Sequence, residues 1–267
     1  MYSLPSFEES IFTIRFSGED FNEHGVTIYD FANTLISVQR IFHKAFLSMD
    51  GRLEFGRFPK RNERENLALM IGKRKFASDA FALVPMLSDP NIQAFLIKIA
   101  DYVASGMIGY YVGDVLDRIK KEPDINKQIF IGSIHAEVVN IVGRIDATGG
   151  VASIQFGAPL SGMPVFCDFT PQTKDYLKSI AGEFYYGAFQ VIKGNVYRLY
   201  INSNMVTIRR PGGTKVDIRL KEHDYHAIHA QEKKNLLVSF VGRPIFKFGV
   251  ESRSITDFEA ESIEIHL

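Results

Sequence analysis

VDIRLKEHDYHAIHAQEKKNLLVSF, residues 216–240, decides the fold class, because a strand, a short polar helix and a second strand are read in it directly. Val216, Ile218 and Leu220 alternate with polar residues, the period of a half-buried strand. Asp224-Tyr225 opens a short helix, and LLVSF resumes the strand pattern. The same plan stands earlier in the chain, in VFCDFTPQTKDYLKSIAGEFYYGAF, residues 165–189, with Asp175-Tyr176 in the place of Asp224-Tyr225. Two copies are too few for a solenoid. They fit one barrel or two small packed barrels in which each short helix covers an open end.

Working outward, the chain after Gly150 is a series of short alternating runs: VASIQFG, MPVFCDF, EFYYGAFQVI, VYRLYIN, MVTIRR, KVDIRL, LLVSFVG and ITDFEAESIEIHL. That texture predicts an antiparallel sandwich or small barrel over 151–267, and a strand-helix-strand unit within a small barrel is the plan of the OB class. The second half is therefore expected to be OB-like. Fold analogy of this kind assigns no function.

The first half reads as a mixed domain over 1–122. IFTIRFSG, residues 11–18, alternates as a strand, and Ile28, Phe31, Ala32, Leu35, Val38, Phe42 and Phe46 return at helical spacing behind a cap at Thr27. LALMIG (67–72) and FALVPML (81–87) predict a strand pair, with Pro85 forcing an edge position or an early end. Residues 91–120 form one apolar helical pattern, and Ile125, Ile129, Val138, Ile141, Val142 and Ile145 continue a second helix across 123–150. These two helices are expected to pair, closing the first domain or building an oligomer interface. The class that results is α+β.

Three glycines interrupt the 91–120 helix, Gly106, Gly109 and Gly113, each costing about 1 kcal/mol against alanine. Ser105, Gly109 and Gly113 repeat every fourth residue and predict a stripe on which another backbone lies close. The leading expectation is accordingly a noncatalytic protein that self-associates or docks a protein partner through this helix. The uncharged run from Tyr102 to Gly113 is short of the roughly 20 residues that cross a bilayer. No basic start followed by an apolar run opens the chain, so a cytoplasmic protein without a membrane span is expected.

Composition fits that expectation: the formal net charge is zero at pH 7, which removes the whole-chain signature of a nucleic-acid binder and leaves a local patch to be sought. The single Cys167 excludes an intramolecular disulfide framework and a cysteine zinc site, and alternation makes it a structural strand residue. No Walker loop, GxSxG elbow, HExxH or dinucleotide fingerprint is present in its required context, so no cofactor is expected. Asp20, Glu23, Asp168 and Glu251 could meet in space as a catalytic set, a third reading that spacing does not support.

The order of IFTIRFSG, VTIYDFANTLISVQRIF, the KFASDAFALVPML strand and the apolar helix resembles uncharacterised bacterial proteins that couple an N-terminal α+β domain to a small barrel. That resemblance implies a stress or antiviral defence setting and carries no site residue.

Two clusters carry chemistry. Residues 52–75 hold Arg52, Arg57, Lys60, Arg61, Arg64, Lys73, Arg74 and Lys75 against three glutamates, a local net of +5. With Phe55 and Phe58 beside them this is the combination used by single-strand nucleic-acid binders, and Arg209, Arg210 and Lys215 around a Pro-Gly-Gly turn extend it. A solvated hairpin connection explains the same charges. His223, His226 and His229 stand at spacings of three, within reach of a zinc-like ion on one helix face, although a polar capping helix explains them too.

Overall fold

A computed structural model describes residues 10–18, 26–53, 58–72, 80–87, 89–145, 151–160, 163–231, 235–249 and 255–266. The alternation at 11–18 becomes β1 (Phe12–Ser17), whose Phe12, Ile14 and Phe16 are buried. β1 is the middle strand of an antiparallel sheet ordered β2-β3-β1-β4-β5, with β2 Leu69–Ile71, β3 Ala80–Pro85, β4 Ser153–Leu160 and β5 Met163–Phe169. β2 is the edge strand beside β3, and Pro85 stands at the end of β3 opposite Leu69. The stretch from 151 divides, because Ile14 pairs with Phe156 and Phe16 with Ile154. Its first two strands complete this sheet, and the barrel starts only at Gln190.

Helices cover that sheet. Thr27 caps α1 (Ile28–Met49) by accepting from the Asp30 amide at 3.0 Å, and Val38, Ile41, Phe42 and Ala45 enter the core. Ile28 does not join them: it is 88% exposed at the helix start, and the buried stripe begins one turn later. What reads as a hairpin connection is a short helix, α2 (Arg61–Asn66). The expected helix over 91–120 is two, α3 (Pro90–Tyr111) and α4 (Val115–Lys121), broken where Gly113 takes φ +117° and Asp114 caps α4. α3 is long and apolar enough to cross a membrane by length and composition alone; Leu96, Ile99, Val103 and Met107 are buried in the protein core, and Phe95 and Ile97 are exposed. α5 (Ile125–Val142) packs mainly along α1, where Lys44 reaches Glu137 at 2.8 Å and Asn140 donates to Ser37.

The second half is a closed barrel of β7 (Gln190–Tyr200), β8 (Met205–Arg209), β9 (Lys215–Arg219), β10 (Leu237–Lys247) and β11 (Asp257–His266). Pairing runs β7-β8-β9-β11-β10 and back to β7; β9 and β11 are parallel and every other pair antiparallel. A five-stranded ring of this kind, with α7 (Glu222–His229) between its third and fourth strands, is OB-like. Ile192, Val206, Ile208, Val216, Ile218, Val238, Phe240 and Phe258 fill it, and Tyr225 and Ile228 of α7 join that core. Both strand-helix-strand units exist, the earlier one running β5, α6 (Pro171–Ser179), β6 (Phe184–Tyr186). The later one lies within the ring, whereas the earlier one starts in the first sheet with β5 and ends beside the barrel with β6, so they are not two parts of one barrel.

β6 adds to β10 outside the ring and ties the two halves together. Tyr185, Phe246 and Phe248 belong to the first core, and Gly132 of α5 lets Tyr185 cross close, since a methyl there would stand 2.2 Å from its hydroxyl oxygen. The Gly249 amide donates to the Gly132 carbonyl at 3.1 Å. Beside it His135 lies between Tyr111 and Phe248, its ring centroids 6.0 and 5.0 Å from theirs, and neither ring nitrogen has a hydrogen-bond partner. Burial lowers its pKa from 6.5 to about 4, against an opposing pull from the Leu177 backbone.

That depression has a definite sign. Between pH 6.5 and 4 the unfolded chain holds a proton on this histidine that the folded chain refuses, so stability is full above about 6.5 and falls with acidification. The loss amounts to about 3 kcal/mol by pH 4. His43, lowered to about 4 by burial and then by Arg64, adds in the same direction. Melting temperatures from pH 7.5 down to 4.5 are expected to fall less steeply in His135→Phe than in the wild type; parallel curves would contradict this.

Candidate nucleic-acid interface

The outer face of β7, β8 and β9 gathers cations around an exposed tyrosine, Tyr197, and a half-buried one, Tyr200. Alternation sends Val206, Ile208, Val216 and Ile218 inward, so Arg209, Lys215 and Arg219 stand outside. A bulge in β7 between Val196 and Arg198 inserts Tyr197 as an extra residue and leaves it 53% exposed. Arg209 and Lys215, cross-strand partners, both sit over its ring, at 4.8 and 4.2 Å from the centroid. Arg198 covers Tyr200 in the same way at 4.7 Å. Thr207 donates to Asp217 at 2.5 Å, which fixes the carboxylate on this face.

Loops frame the platform. The Pro-Gly-Gly turn is closed by the Arg210 amide on the Thr214 carbonyl, and Gly212 and Gly213 take φ +93° and +88°. A side chain at either would be strained, so the turn demands glycine there. On the other side the β7–β8 turn carries Ile201, 77% exposed, and Asn204 in the left-handed region. Such a surface offers ring faces and guanidinium planes for bases and point charges for phosphates. Sequence reading reached Arg209, Arg210 and Lys215 by the turn they flank; it missed Tyr197 and Tyr200, because a bulge leaves no mark in an alternating run.

Two cations of the remaining basic cluster are paired with its own acids. Arg52 pairs with Asp50 and, at 3.0 Å, with Glu63, and Arg61 meets Glu65 at 3.2 Å. Glu63 also accepts from the Lys60 amide, and that bond first, then Arg52, holds its carboxyl below the usual range. Lys60 and Arg64 stand at the two ends of α2. Arg57, Lys73, Arg74, Lys75 and Phe55 lie outside the described residues.

The histidines do not converge on a metal. His223 turns to Asp224 at 3.2 Å, His226 to Glu222 at 3.8 Å, and His229 stacks on Tyr225. Among the described residues no group of three His, Cys, Asp or Glu could hold an ion. Asp168 accepts from Gln155 at 2.9 Å, whereas Asp20, Glu23 and Glu251 lie outside the described residues. Cys167 is buried on β5, and burial pushes its thiol up to about 12.

The glycine stripe is shorter than expected. Ser105 donates to its own helix at Tyr102, Gly113 lies beyond the end of α3, and a methyl on Gly109 would meet nothing within 4 Å. Gly106 is the packing position: a methyl there would stand 2.7 Å from the ring of Phe130, on α5 of the same chain. Gly106→Ala is therefore expected to cost about 1–2 kcal/mol, the clash outweighing helix propensity, while Gly109→Ala gains roughly 0.5–1 kcal/mol. Urea denaturation checks both, and equal midpoints would contradict the assignment.

No family model matches the chain, and no curated protein does. Among solved structures the chain is similar, over 35% of its length and 68% of the other's, to "Structure of U. maydis Replication protein A bound to ssDNA", at 15% identity and a TM-score of 0.20. A likeness at that score adds nothing to the barrel's own strand order.

Proposed function

We propose that this protein binds single-stranded nucleic acid on the outer face of β7, β8 and β9. The observation that carries the proposal is Tyr197, raised by a bulge on a closed OB-like barrel and flanked by Arg209 and Lys215. Arg198, Arg209, Arg210, Lys215 and Arg219 on these strands and their turn are set against Asp217, a balance that favours phosphate. Rings and guanidinium planes favour unpaired bases over a duplex, whose bases are stacked away. The function is noncatalytic binding, with the nucleic acid recognised by charge and stacking.

Assembly through α3 is a separate reading from this proposal: Gly106 packs on Phe130 within the chain and Gly113 lies beyond the helix, which leaves it Ser105 and Gly109. Fluorescence anisotropy of a labelled oligothymidylate at low salt tests the reading on the wild type and on the triple variant Tyr197→Ala/Arg209→Ala/Lys215→Ala. Salt-sensitive binding that the variant loses is the expected result. Equal binding by both would move the site elsewhere.

A further inference from the structure

A second set of ring and cation pairs stands on the same barrel, away from β7–β9. Phe184 and Phe189 are 51% and 50% exposed, with Lys247 over the first at 5.9 Å and Arg243 over the second at 5.8 Å. Tyr186 and Val191 are exposed beside them. These side chains lie on β6, on the start of β7 and on β10, the strand that pairs with both.

Register connects the two sets. Tyr200 pairs with Met205, Met205 with Arg219, Arg219 with Glu259, and Glu259 with Arg243, forming one row around the barrel. Four interstrand steps of about 4.8 Å put its ends about 19 Å apart, which an unstacked single strand spans in fewer nucleotides than a duplex strand rising about 3.4 Å each. Between them stand Glu259, hydrogen-bonded to Tyr186, and the cross-strand pair Asp217 and Asp257. On the row itself Glu259 stands between Arg219 and Arg243, and the two aspartates lie two residues to its side.

We infer that the β6–β10 patch is a second anchor for the same single strand, which is held at both ends of the row. This inference rests on the β7–β9 reading. Two anchors joined by one ligand bind with an effective concentration that a ligand too short to span them cannot use. Charge selects the occupant: a cation sits over each of the exposed phenylalanine rings, as on Tyr197, which suits stacked bases and phosphates.

The test uses the full chain and oligothymidylates of about 3 and about 15 nucleotides, chosen to fall short of and to exceed the row. The variant is Phe184→Ala/Phe189→Ala, in which both truncated rings are half exposed in the wild type. Wild type is expected to bind the long probe at least tenfold more tightly than the short one after correction for the number of registers. The variant should bind the short probe as wild type does and lose that gain, with an unchanged far-ultraviolet circular dichroism spectrum. An undiminished gain in the variant would overturn the second anchor, as would sedimentation showing that the variant dissociates a dimer, which would make the patch a protein seam. Failure of the wild type to bind either probe would instead bring down the β7–β9 reading.

Discussion

Gly242→Ala is expected to destabilise the barrel by about 3 kcal/mol or more, the largest effect of any single methyl considered for this chain. Gly242 lies at the irregularity where the β10–β11 register shifts, and a Cβ there would stand 2.0 Å from the Glu259 carbonyl oxygen and 2.9 Å from the Ala260 Cα. Both are backbone atoms of the neighbouring strand, so no rotamer change relieves the overlap. Relief requires the strands to part, and the β10–β11 pairing is one of the five that close the ring. The barrel would then lose the burial of Phe240 and Phe258 on those two strands. Urea unfolding should show a clearly lowered midpoint against wild type, while Gly109→Ala moves the midpoint the other way; a wild-type midpoint for Gly242→Ala would contradict the assigned register.

The second large effect is on binding. Tyr197→Ala/Arg209→Ala/Lys215→Ala is expected to weaken single-strand affinity roughly 100-fold at low salt, since one stacked base is worth about 1–3 kcal/mol and two phosphate contacts are lost with it. The three side chains form one unit, with both cations over one ring, so single substitutions should not add up to the triple effect. Folding should survive, because Tyr197 is exposed on a bulge and the inward residues of β8 and β9 are untouched. Two lost phosphate contacts should also flatten the logarithmic salt slope by about 1.4.

Local patterns made much of the fold legible. Alternation at 11–18 and from 205 to 219 became strands, Thr27 became the cap it resembles, and the strand-helix-strand plan from Val216 led to the OB-like barrel. Pairing between distant segments was not legible. Nothing in VASIQFG says that its partner is IFTIRFSG rather than a strand of the barrel, because both choices satisfy the same alternation. The break at Gly113 was hidden by an apolar pattern that continues on both sides of it. Charge pairing was hidden for a similar reason: Arg52 and Arg61 meet Glu63 and Glu65 only once α2 forms. At the candidate interface the flanking cations were visible and the rings were not, since bulge geometry depends on the partner strand.

The most direct measurement is anisotropy of a labelled single strand and of a duplex of equal length, titrated with wild-type protein from low to physiological salt. The account predicts tighter binding to the single strand, with log affinity falling linearly as log salt rises. No binding at low salt, or equal affinity for the duplex, would contradict it.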